Sequence, residues 1–101
     1  PKPGEGPTRD QREAGYYEVF FRGIDSQNPQ KEITISVSGD LDPGYGSTAK
    51  MLGEAAVCLA KDELTVGGGF WTPASALAGK YLNRLTSSAG LTFKVVDSVT
   101  P

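Results

Sequence analysis

Residues 31–56 read "KEITISVSGDLDPGYGSTAKMLGEAA". The opening alternates, with Ile33, Ile35 and Val37 on one face and Glu32, Thr34, Ser36 and Ser38 on the other. That is the period of a half-buried strand. Asp42-Pro43-Gly44 then supplies turn chemistry, because proline presets φ and glycine permits positive φ. From Ser47, a candidate N-cap preceded by Gly46, the spacing becomes helical. Thr48, Leu52, Ala55, Ala56 and Leu59 fall on one helical face. Gly53 inside this helix calls for a close helix-to-sheet approach, since glycine there costs about 1 kcal/mol against alanine. Lys50 and Glu54 stand four apart with the lysine first, the weaker orientation for an ion pair.

Strand, glycine turn and helix in that order form the outline of a nucleotide-binding unit, and the detail departs from it. Gly44 and Gly46 flank Tyr45, but position 49 is alanine where the G-x-G-x-x-G fingerprint has its last glycine. No Gly-Lys-Ser/Thr follows, which removes the phosphate loop of nucleotide triphosphatases. The upstream stretch "YYEVFFR", residues 16–22, is aromatic and β-branched. Tyr17, Val19 and Phe21 share one face, and Tyr16, Glu18, Phe20 and Arg22 the other. The short polar link "GIDSQNPQ" predicts an antiparallel hairpin with the second strand. One sheet face is expected to pack on helices and the other to be partly apolar and open to a partner.

In that hairpin context the dinucleotide reading of the turn fails. A weaker one survives: the N–H groups of Gly46, Ser47 and Thr48 open a helix, and helix N-termini attract anions. Tyr45 and Lys50 add a ring and a charge. A plain structural cap competes with that reading, and the five residues stand as candidates for ligand or interdomain contact.

"KDELTVGGGF", residues 61–70, breaks the helix. Thr72 as N-cap with Pro73 at the first helical position starts another. Ala74, Leu77, Ala78, Tyr81, Leu82 and Leu85 make its apolar face, Gly90 ends it, and "LTFKVVD" is the last strand. Two strands, two helices and a strand imply an α+β class: a small two-layer domain with helices on one face of a mainly antiparallel sheet. Phe70, Trp71 and Thr72 follow three glycines. Either the rings staple the helix start or they serve a pocket. One ring is expected in the core and the other near the surface.

The chain has 101 residues, enough for one small domain, with 38% hydrophobic and 22% charged residues. A net charge of −2 argues against a nucleic-acid partner. No apolar run approaches a membrane span, and no signal peptide is visible. The single cysteine, Cys58, allows no intrachain disulfide and makes the cytoplasm the default location. With no histidine, histidine-based triads and histidine metal ligands are excluded. Cys58 within "EAAVCLA" reads as an inert buried thiol. Asp40 and Asp42 read as solvated or turn-bonding carboxylates rather than an acid–base pair. The stretch 1–15, "PKPGEGPTRDQREAG", is rich in proline, glycine and charge and reads as a linker or arm. Residues 16–101 form the α+β domain, and the whole is expected to be a piece of a longer protein.

"DPGYGSTAKMLGEAA", "GGGFWTPASALAGKYLNRL" and "GLTFKV" occur in this order with a helix between the first two. In this the chain resembles the C-terminal end of saccharopine dehydrogenase-like oxidoreductases, a group that includes bacterial trans-acting enoyl reductase relatives. The opening segment resembles the lead into that region, so the likeness covers nearly the whole chain. It implies an N-terminal Rossmann domain that binds NAD(P) in the parent. It implies a later α+β domain that supplies substrate and subunit contacts, of which this chain would be the last part. No cofactor and no metal are expected in the fragment, which would not be catalytic alone. Its expected partners are the parent's Rossmann domain and, through the sheet, a second copy. The chain lacks a basic cluster suited to a tricarboxylate substrate. A non-enzymatic binding or dimerisation module is the competing reading.

Overall fold

The computed structural model describes residues 2–99. Their elements are α1 (Arg9–Ala14), β1 (Tyr17–Ile24), β2 (Glu32–Gly39), α2 (Gly46–Lys61), α3 (Pro73–Ser88) and β3 (Leu91–Val99). From β1 onward the order is strand, strand, helix, helix, strand, an α+β domain. The three strands form one antiparallel sheet in the order β1-β2-β3. Directly opposed residues of antiparallel strands share a face. Three rows therefore lie on one side: Tyr17–Gly39–Leu91, Val19–Val37–Phe93 and Phe21–Ile35–Val95. The other side carries Glu18–Ser38–Thr92 and Phe20–Ser36–Lys94. The pairing of β2 with β3 shifts between Thr34 and Ile35, leaving Val96 without an opposed residue, a β-bulge.

The core is small and sits at one end of the sheet. Leu85, Ala89 and Leu91 are buried together, with Val37, Met51 and Tyr81 packed on them. Tyr17 closes this end. Its ring lies so near Gly39 that a Cβ there would stand 2.3 Å from a ring carbon. Its hydroxyl shares a 2.8 Å hydrogen bond with Oγ of the fully buried Ser47.

Beyond this row and Val37 the helices do not cover the sheet. Val19, Phe21, Ile33, Phe93 and Val95 of the same apolar face are exposed. The alternation of β1 and β2 predicted a face packed on helices, and only its first row and Val37 of the next are. The radius of gyration, 16.7 Å, records this openness against about 13 Å for a compact 100-residue domain.

α2 is turned the opposite way from the expectation. Its buried side carries Ser47 and Cys58, with Lys50, Met51, Glu54 and Ala55 half-buried. Thr48, Leu52, Ala56 and Leu59, four of the five residues of the expected core face, point to solvent. Gly53 also lies outward with no atom within 4 Å of where its Cβ would be, so no close approach within this chain explains it. Lys50 and Glu54 do not pair with each other: Lys50 binds Asp40 and Glu54 binds Arg84.

α3 starts as expected, with Thr72 at the N-cap and Pro73 in the first turn, though the Thr72 hydroxyl makes no capping bond to the backbone. The helix is broken at Ala78, at φ 44° and ψ −133°, a conformation that an L side chain strains to adopt. Leu77 and Leu85 are buried and Tyr81 half-buried, while Ala74, Ala78 and Leu82 are exposed. Gly90 follows at φ 72°, where a Cβ would meet a carboxylate oxygen of Asp40 at 2.2 Å. Glycine is required there on both counts.

The 1–15 arm contains α1, begun by a capping box in which the Thr8 hydroxyl accepts from the Gln11 N–H and the Gln11 side chain accepts from the Thr8 N–H. The Arg12 carbonyl accepts from the Asp42 N–H at 3.1 Å, so the arm lies against the β2–α2 turn.

Candidate functional site

The β2–α2 turn is organised by one carboxylate. Asp42 accepts from the N–H of Tyr45 at 2.7 Å and of Gly46 at 3.3 Å, and its carbonyl accepts from the Ser47 N–H at 2.8 Å. The Tyr45 amide above all holds the Asp42 carboxyl below its ordinary pKa. Asp42 thus supplies the cap expected of Ser47, whose hydroxyl is instead committed to Tyr17. An aspartate just before a helix fills the orphan amides that an anion would use. A phosphate arriving here would have to displace that carboxylate or sit beside its charge. Lys50, the cation nearest in sequence, is held by both carboxylate oxygens of Asp40 at 3.1 and 3.3 Å. The Thr48 hydroxyl donates to the Pro43 carbonyl. Tyr45, more than half exposed, and Gly46 line a cleft of about 300 Å³ with Arg9, Arg12, Glu13, Leu41 and Ala49.

The second group of expected site residues lies elsewhere. Phe70 is fully exposed and Trp71 is 52% exposed, so neither ring is in the core, contrary to the expectation of one buried ring. The Trp71 Nε1–H donates to the Gly67 carbonyl at 3.0 Å, folding the indole back over the glycine loop instead of onto α3. The three glycines permit that close return, and no staple forms. Thr72 rims an apolar groove of about 580 Å³ whose wall includes Pro73, Tyr81, Leu82, Leu85 and Phe93. The break at Ala78 lies in this wall. Tyr45 and Gly46 on one side, and Thr72 on the other, belong to separate clefts.

A third cluster, missed from the sequence, ties the two long helices. Arg84 of α3 forks onto Asp62 with Nε at 2.7 Å and Nη2 at 2.8 Å, and reaches Glu54 at 3.4 Å. All three are half-buried. The Arg84 hydrogen bonds lower the Asp62 pKa to about 2, and Asp62 in turn raises that of Arg84. Cys58 is buried beside this pair, and desolvation pushes its thiol pKa up, which makes it a poor nucleophile. The Tyr81 hydroxyl donates to the Met51 carbonyl at 2.9 Å. These bonds hold a seam between helices and offer no free acid, base or nucleophile. Among the described residues no group of three or more Cys, Asp or Glu side chains is placed to hold a metal ion. No described helix is long and apolar enough to cross a membrane.

No family profile matches the chain, and no solved structure does. Relatives by sequence do exist. The chain is 36% identical over 90 residues to a Mycobacterium tuberculosis protein named as a candidate trans-acting enoyl reductase, covering 87% of this chain and 21% of that protein. It is 36% identical over 87 residues to the trans-acting enoyl reductase of Mycobacterium ulcerans, covering 84% and 20%. It is 33% identical over 87 residues to that of Mycobacterium bovis, with the same coverage of 84% and 20%. These likenesses support an oxidoreductase-related family. The chain spans about a fifth of the length of the curated relatives it matches.

Proposed function

We infer that the chain is the C-terminal part of an NAD(P)-dependent, saccharopine dehydrogenase-like oxidoreductase, where it supplies substrate-domain and subunit contacts and does no chemistry alone. The observation that carries this reading is the match of 84–87% of the chain to a fifth of proteins named for enoyl reduction. In the parent, the bound nicotinamide would exchange hydride with the substrate. The nucleotide would sit on a Rossmann domain outside these residues, in a cytoplasmic protein. The glycine turn before α2 does not fit a dinucleotide phosphate, because Asp42 fills it. The contribution of this chain is surface. The uncovered sheet face and the apolar groove at Phe93 are where a larger protein would be met. Tyr45, Lys50, Phe70 and Trp71 are contact residues in this reading.

The reading is tested by titrating NADPH into the 101-residue chain and into the full-length gene product, following nucleotide fluorescence. Binding to the full-length protein alone is the expected result. Saturable micromolar binding to the 101-residue chain would sink it. Failure of both to bind would favour the second reading, a non-enzymatic binding or dimerisation module, which the uncovered sheet face also suits.

A further inference from the structure

Alone among the described non-glycine residues, Ala78 has a positive φ, and it has it inside a helix. The next residue, Gly79, could take that conformation without strain. It keeps a helical backbone instead, with no atom within 4 Å of where its Cβ would be. Alanine is the best helix former and is poorly suited to φ 44°. The break is therefore imposed from elsewhere in the fold. Leu77, just before it, is 3% exposed and lines a cleft with Leu64 and Thr65, which holds the first turn of α3 aside. The break also makes the apolar groove: Thr72, Pro73 and Ala74 of its wall precede Ala78, and Tyr81, Leu82 and Leu85 follow it.

The sequence pattern belongs to an unbroken helix. Ala74, Leu77, Ala78, Tyr81, Leu82 and Leu85 share one face only if α3 is straight. In the bent form Leu85 packs with Ala89 and Leu91, Leu77 is buried apart from that cluster, and Ala74 and Ala78 are exposed. The last turns of α3 fix where a straight helix would lie. α3 and β3 run back along each other from Gly90, with Leu85 packed near Leu91 and with Tyr81 and Phe93 in the same groove. Leu77 to Leu85 spans roughly 12 Å along a straight helix. Leu91 to Val95, on one face of β3, spans roughly 13 Å. The first turn would therefore reach Val95, which is 57% exposed in the bent form. At the other end of the segment Gly67 and Gly68 stand in open space and let it follow. The Arg84 fork and the Tyr81–Met51 bond hold the rest of α3 in either form.

We propose that α3 is a two-state helix. Bent at Ala78, it opens the groove; straight, it lays Ala74 and Leu77 on Phe93 and Val95 and closes it. Each form lacks what the other has. The bent form carries the strain at Ala78 and leaves Val95 in water, and the straight form gives up the present burial of Leu77. Whatever fills the groove selects the bent form, so access to it is gated by α3. This goes beyond the enzymatic reading and does not depend on it.

Nuclear magnetic resonance of the 101-residue chain tests this. The carbon shifts of Ala78 distinguish a positive φ from a helical one, and a methyl contact between Leu77 and Val95 belongs to the straight form. Exchange between two states across residues 73–79 is expected in the wild type. Ala78→Gly removes the penalty on the positive φ and should shift the population toward the bent form about tenfold. Ala78→Val raises that penalty and should shift it toward the straight form, with the Leu77–Val95 contact appearing. A wild type with no exchange across 73–79 would overturn the proposal. So would an Ala78→Val chain that folds without the contact, or one that unfolds, as a rigid bend would require.

Discussion

The two ends of the sheet's apolar face are built from similar residues and have opposite fates. At the closed end, Tyr17, Gly39 and Leu91 lie under Ser47, Leu85 and Ala89, with a hydroxyl pair shielded from water. At the open end, Phe21, Ile33 and Val95 have the same chemistry and stand exposed. Hydrophobicity alone does not decide which end is covered. A few specific anchors do: the Tyr17–Ser47 bond, the absence of a Cβ at Gly39, and the Arg84 fork that holds the helix pair in one orientation. Burial in this chain follows from where the helices are pinned.

Four measurements break or sharpen that contrast. The largest effect belongs to Leu85→Ala, which empties the centre of the closed end and should cost about 2–5 kcal/mol by urea denaturation. Next is Tyr17→Phe. It keeps the ring over Gly39 but leaves the buried Ser47 hydroxyl without its partner, at about 1–3 kcal/mol. A double variant with Ser47→Ala should recover part of the loss, and if it does not, the bond is not the anchor.

The third is a pH series. Asp62 has a folded pKa of about 2 against an ordinary 3.8. Its pairing with Arg84 therefore stabilises fully above 3.8 and fades as pH falls toward 2. The stability gap between wild type and Arg84→Met should narrow over that window and stay constant between roughly pH 5 and 7. The smallest effect is expected at the open end. Phe21→Ser should change stability by no more than about 0.5 kcal/mol. A loss matching that of Leu85→Ala would erase the distinction between the two ends.

Much of the fold was legible locally. The alternation of 32–38, the Thr72-Pro73 start and Gly90 each carry a signal with a backbone cause, and the structure has the corresponding strand, helix start and stop. The orientation of α2 was not legible. Both of its faces are apolar enough to be a core face, and the leucines of the outer one outweigh the Ser47, Met51 and Cys58 of the inner one on any hydrophobicity scale. What turns the helix is long-range: Tyr17 is 30 residues from Ser47, and Arg84 is 30 from Glu54. The Asp42 cap was half legible, as a carboxylate bonding within its turn, but Ser47 competed for the role. α1 was missed although Thr8 and Gln11 have capping-box spacing, because no apolar periodicity follows them. The site expectation grouped residues by local oddity, and the tertiary arrangement places Tyr45 and Gly46 in one cleft, Thr72 in another and the other candidates in neither.

The buried thiol of Cys58 gives the chain an internal clock. A thiol reagent needs access and a thiolate, and the closed seam between α2 and α3 denies both. Alkylation therefore proceeds only through opened molecules. When reclosing outpaces the reagent, the observed rate divided by that of a free thiol is the opening equilibrium constant itself. Because the sequence contains a single cysteine, no label has to be introduced and no second site confuses the signal. Followed against denaturant, the rate separates an excursion confined to the helix pair, nearly flat at low concentrations, from loss of the whole fold, which steepens with the surface exposed.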